Sequence, residues 1–263
     1  MKALTILLLS AGMLLASCGG HSSAPTTTVS GSYEFIVTSN VTGGVTLVES
    51  NLTANGSQSS ASGASQVQVL SFEAKNWYLN GVCSGATPGD NSVSANIRGT
   101  NVGLTLNDGG SAISGQGVLT GSTITGNYAV SGSTCPDLQN RIGYPAGYDS
   151  GGIVGKLVPA LAGTFSGLLD IPDGIHNAAL TLTESPDYNL SASLALSGPV
   201  DNGTFTLSGT TIGNVMFVSG QVNSSTLTLL GYFDRAGTYT KFPNSLLVFN
   251  YDTQSNAGLL VGQ

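Results

Sequence analysis

The stretch Leu190-Ser191-Ala192-Ser193-Leu194-Ala195-Leu196 alternates large apolar residues with small polar ones. Successive side chains of a β-strand point to opposite faces, so Leu190, Ala192, Leu194 and Leu196 share one dry face and the serines the wet one. A helix would scatter the same residues around its circumference. The same logic extends outward. Phe205 and Leu207, Val215 to Gly220, Thr226 to Phe233, Leu246 to Tyr251 and Gly258 to Val261 continue the series, about seven short strands in the second half of the chain. In the first half, Ser32 to Ser39 and Val45 to Leu52 make a hairpin around Thr42-Gly43-Gly44. Thr53 to Gln66 reads as a long polar loop, and Val67 to Glu73, Ser92 to Arg98, Val102 to Leu106, Ala112 to Leu119 and Thr123 to Val130 as further strands. Short strands at roughly ten-residue spacing, separated by Gly, Asn and Asp turns, predict an antiparallel meander closing into a barrel or sandwich.

The whole composition agrees. Of 263 residues 37 are glycine and only 8% are charged, against about 25% in ordinary soluble domains. A surface with so few charges must be built from Ser, Thr, Asn and Gly. The net charge of −7 and the absence of any basic run exclude nucleic acid and anionic lipid headgroups as partners that need clustered Lys and Arg.

Two halves share local sequence. Ile113-Ser114-Gly115-Gln116 recurs as Val218-Ser219-Gly220-Gln221, each followed by a second glycine, Gly126 or Gly231, and an aromatic, Tyr128 or Tyr232. Gly31-Ser32-Tyr33-Glu34-Phe35 opens the first half as Gly163-Thr164-Phe165-Ser166-Gly167 opens the second. The expected fold class is therefore all-β, two tandem antiparallel meander units, each a small up-and-down barrel or sandwich, over residues 31–158 and 159–263.

Ahead of these units stands a different kind of segment. Lys2 is followed by an apolar run from Ala3 to Leu15, too short to span a bilayer but suited to a signal peptide. Leu15-Ala16-Ser17-Cys18 resembles the lipobox of bacterial lipoproteins. That resemblance implies removal of residues 1–17, diacylglycerol on the Cys18 thiol, an acyl chain such as palmitate on its new amino group, and attachment to the membrane through lipid. Losing Lys2 would take the net charge from −7 to −8. Gly19 rather than aspartate after the cysteine implies the outer membrane. Residues 18–30, small and polar, form a flexible lipidated tether. The body of tandem Gly-, Thr- and Ser-rich units resembles β-rich envelope lipoproteins, and Gly163 to Gly167 is similar to the first strand of avidin- and lipocalin-like barrels, which implies a barrel whose mouth takes a small ligand.

Cys83 and Cys135 remain, in a chain expected to be exported, and are expected to form a disulfide. Closing some fifty residues would stabilise the fold by roughly 4 kcal/mol on the chain-entropy account. The pair would draw Trp77 and Tyr78 toward Arg141, Tyr144 and Tyr148, a cluster of aromatic faces with a polar group suited to a small amphipathic ligand or a glycan; the alternative is that Trp77 plugs the first unit and the loop covers it.

The chain contains lures for catalysis and metal binding. Tyr148-Asp149-Ser150-Gly151-Gly152 resembles the stretch around the nucleophile of chymotrypsin-like serine proteases, but its only upstream histidine is His21 in the tether, so it reads as a Gly-rich turn leading to the second unit. Asp170, Asp173 and His176 surround Pro172-Asp173-Gly174, which is the chemistry of a tight turn. No cofactor, metal site or catalytic residue is expected. The function expected is that of a non-enzymatic, lipid-anchored envelope protein binding a small ligand or glycan; the rival is a structural or interaction protein with filled barrels, and interior residue size separates the two.

Overall fold

The computed structural model describes residues 29–40, 45–54, 60–68, 92–108, 111–131, 149–171, 174–198, 202–235, 237, 244–250 and 255–262. They form sixteen strands in two closed barrels. The first comprises β1 (Gly31–Ser39), β2 (Val45–Ala54), β3 (Ser60–Gln68), β4 (Ser92–Arg98), β5 (Asn101–Asp108), β6 (Ser111–Thr120), β7 (Thr123–Ser131) and β8 (Asp149–Val158). The second comprises β9 (Ala162–Ile171), β10 (Gly174–Glu184), β11 (Asn189–Ser197), β12 (Gly203–Ile212), β13 (Val215–Val222), β14 (Ser225–Phe233), β15 (Ser245–Asn250) and β16 (Ser255–Gly262). Within each barrel every strand pairs antiparallel with its neighbours in sequence, and each barrel closes on its first strand, Phe35 opposite Gly155 in one and Leu260 opposite Gly167 in the other. Closure removes the unpaired edges that an open sheet would expose.

Alternation decides what goes inside. Along β11 burial switches at nearly every residue, Leu190, Ala192, Leu194 and Leu196 turning in and Ser191, Ser193 and Ser197 out. The second barrel is filled by these residues with Leu169, Leu180, Leu182, Leu207, Met216, Val218, Leu229, Leu246, Val248 and Leu260. Phe165 meets Phe233 edge-on at 5.0 Å between ring centres. The first is filled by Tyr33, Phe35 and Val37 of β1 against Val48, Val93, Val102, Leu104, Ile124, Tyr128 and Ile153. Tyr33 and Phe35 stack at 5.6 Å.

Three expectations change. Ser60 to Gln66 is not loop: it is most of β3, bonded to β2 and β4 through its backbone. A serine-rich segment is a poor strand former alone, but the gap between two neighbours supplies the ladder. Asp149 to Gly152 is not a turn to the second unit but the start of β8, which seals the first barrel. Its glycines make room for rings: a Cβ on Gly155 would collide with the Phe35 ring. The recurring Ser-Gly-Gln motif falls on β6, the sixth strand of its barrel, and on β13, the fifth of its own. The plan is common to the halves, but this motif lies one strand out of step.

Candidate functional site

Cys18, Trp77, Tyr78, Cys83, Cys135, Arg141, Tyr144 and Tyr148 lie outside the described residues. Ser150 sits in β8 opposite Ala129, with its carbonyl accepting from the Asn40 N–H. Asp170 and His176 flank the β9–β10 turn but face opposite ways: Asp170 is exposed, whereas His176 is buried in the second barrel with Nδ1 3.0 Å from the Gly174 carbonyl. Asp173 is outside the described residues. Among the described residues no group of three His, Cys, Asp or Glu side chains is arranged to hold a metal.

Two other places gather polar chemistry. The first is a groove of about 580 Å³ on the outer wall of β4 to β7, lined by Asn96, Gly103, Thr105, Ser114, Gln116 and Asn127 together with Leu104, Gly115, Tyr128 and Ala129. Strand register explains it. Asn96 pairs with Gly103, Gly103 with Gln116, and Gln116 with Asn127, so one row crosses four strands on one face. The adjoining row runs Ser94, Thr105, Ser114, Ala129. Asn96, Gln116 and Asn127 are exposed.

The second is the joint between the barrels. Glu34 on β1 stands opposite Glu49 on β2, and both are completely buried although they face outward from the first barrel's interior. They are covered by the β12–β13 turn of the second barrel. Asn214 donates from Nδ2 to Glu34 Oε2 at 2.8 Å and from its backbone N–H to Glu49 Oε2 at 2.7 Å. The Tyr232 hydroxyl donates to Glu34 Oε2 at 2.9 Å. Asn51 bridges Ser32 and the turn, accepting from Ser32 Oγ at 2.7 Å and from the Gly213 N–H at 3.2 Å while donating to the Thr211 carbonyl at 2.5 Å. Gly213 has φ of +56° and lies against Glu49; a Cβ there would collide with the Glu49 carboxylate and approach the Tyr33 carbonyl oxygen to 2.8 Å. Only glycine fits both demands.

Behind the turn, Arg235 donates to Glu184 Oε2 at 3.0 Å, to the Pro159 carbonyl of the inter-barrel linker at 2.6 Å and to the Gly213 carbonyl. Glu184 also accepts from the Leu161 N–H at 2.6 Å. Burial, with Glu34 alongside, raises the Glu49 carboxyl well above the ordinary glutamate range. Burial, with Glu34 and Glu49 near, also raises Tyr232, and burial pushes Tyr33 up to about 12. Burial lowers Arg235, opposed by the Glu184 carboxylate.

Sequence reasoning missed this joint. Glu34 reads as the wet side of β1, which it is until a turn some 180 residues later covers it. The available signal was scarcity: two glutamates on adjacent strands of a chain that is 8% charged. No protein-family model, no curated protein and no solved structure matches this chain.

Proposed function

We propose that this chain is a lipid-anchored protein of the bacterial envelope that acts without catalysis, through the outer surface of two filled barrels. The observation that carries the reading is the packing of both interiors by Leu, Val, Ile, Phe and Tyr, which leaves the outer walls as the place for recognition. A ligand barrel of the lipocalin kind keeps its lumen open; here Leu194, Leu229, Leu246 and Leu260 are fully buried within it. The wall of β11 turns leucine in and serine out, the reverse of a barrel that faces lipid with its outer side. Anchoring rests on the lipobox at Leu15 to Cys18, and the joined barrels form the body carried at the end of the tether.

Native mass spectrometry of residues 19–263, exported to an oxidising compartment, tests the filled-barrel reading. A bare protein mass, unchanged by denaturation, is expected. A retained small molecule that leaves on denaturation refutes it. Anchoring is checked separately: Cys18→Ala should move the protein from the membrane to the soluble fraction.

A further inference from the structure

The geometry points to the outer groove of β4 to β7 as a binding site for a neutral polyhydroxylated ligand, a short stretch of uncharged glycan. The lining contains no charged side chain and presents amides and hydroxyls: Asn96, Gln116 and Asn127 in one row, Thr105 and Ser114 in the next. Each amide offers donors and an acceptor together, and each hydroxyl does both, which is the capacity a sugar's own hydroxyls require. An ionic ligand would find no counter-charge there, and the apolar surface between the polar groups suits the C–H faces of a sugar ring.

Spacing supports the assignment. Asn96 and Gln116 are separated by the strand carrying Gly103, about 10 Å at two inter-strand spacings. The Gly103 position is vacant: a Cβ built there would meet nothing within 4 Å. The amides therefore flank a gap rather than a side chain. The Thr105–Ser114 hydroxyl row lies about 7 Å along the strands, two residues away. Together they form a polar floor with two parallel rails. The volume of about 580 Å³ falls within the range of small-molecule sites. The second barrel offers a contrast, because its outer hydroxyls are tied to each other across strands, Thr164 to Thr181 at 3.0 Å and Ser219 to Thr228 at 3.1 Å.

Binding at an exposed, hydrated groove exchanges water hydrogen bonds for sugar ones, so one site is weak. Many anchored copies on one membrane would add avidity without new contacts. Only this gain rests on the lipid-anchor reading; the groove itself does not.

The test is saturation-transfer NMR on the purified full chain, in a detergent without a sugar headgroup, against maltotriose, cellotriose, mannotriose and tri-N-acetylchitotriose, with trigalacturonate as the anionic control. At least one neutral trisaccharide should receive saturation, and trigalacturonate should not. Gly103→Val puts a side chain into the gap, its Cβ meeting nothing within 4 Å, and should weaken binding at least about tenfold, as should Gln116→Ala, while Ile175→Thr on the outer wall of the second barrel leaves it unchanged. Unchanged melting temperatures establish that the variants fold. Silence from all four neutral sugars, preference for the anionic one, or equal binding by Gly103→Val overturns the assignment. Lipid anchoring can fail in the Cys18→Ala fractionation while this result stands, and the reverse.

Discussion

Replacing Glu49 by Gln should make the protein more stable at neutral pH, although it alters a buried group with a hydrogen bond. Glu49 is completely buried beside Glu34 and its proton is held well above the ordinary glutamate value. In the unfolded chain that carboxyl loses its proton near pH 4.3. A carboxyl with a raised folded value binds more protons folded than unfolded, so its contribution is fully favourable below the unfolded value and falls as pH rises toward the folded one. The loss is about 1.4 kcal/mol per pH unit while the solution pH lies between the two. Glutamine is isosteric with the protonated acid. Its Oε1 can accept from the Asn214 N–H, which now bonds Glu49 Oε2 at 2.7 Å, and it carries no proton to lose. Urea unfolding of both proteins at half-unit steps from pH 5 to pH 7 should show the stability of wild type falling relative to Glu49→Gln by up to about 2.7 kcal/mol. Parallel curves would refute the raised carboxyl; a variant less stable at every pH would show that the acid proton makes a bond the amide cannot.

Other expectations follow from the same joint and from the cores. Arg235→Leu removes the partner of Glu184 and the donor to the Pro159 and Gly213 carbonyls, leaving a buried carboxylate uncompensated; a loss of about 3–5 kcal/mol is expected in chemical denaturation. Leu194→Ala empties the centre of the second barrel and should cost about 3–5 kcal/mol, read as a lowered denaturation midpoint with the slope unchanged.

The fold was legible where one side of a strand is dry. Leu190 to Leu196 announces its faces because leucine and serine differ strongly in the cost of exposure; the turns marked about seven strands in the second half, where the barrel has eight, and β10 (Gly174–Glu184) was not among those read. β3 was not legible, because Ser60 to Gln66 carries no apolar period and its place is set by the ladder it completes. β8 looked like a turn because its glycines lack side chains; their purpose is visible only once Phe35 lies over Gly155. The groove amides were unreadable for a related reason. Asn96, Gln116 and Asn127 are unremarkable polar residues in sequence, and strand register alone sets them in a row. The joint is harder still, since Glu34 and Asn214 meet through the docking of two separately closed sheets.

The order in which the chain emerges gives the glutamate pair a further meaning. All strands of the first barrel are complete by Val158, before any residue of the second is available. At that stage the second-barrel residues that cover Glu34 and Glu49 are not yet made, and the half-made protein carries two acidic groups on the face where its second half will sit. Two such faces, each carrying like charge, would repel one another. When the turn at Gly213 arrives, burial beside Glu34 raises the Glu49 carboxyl, and the acidic face becomes the seat of the chain's own second half.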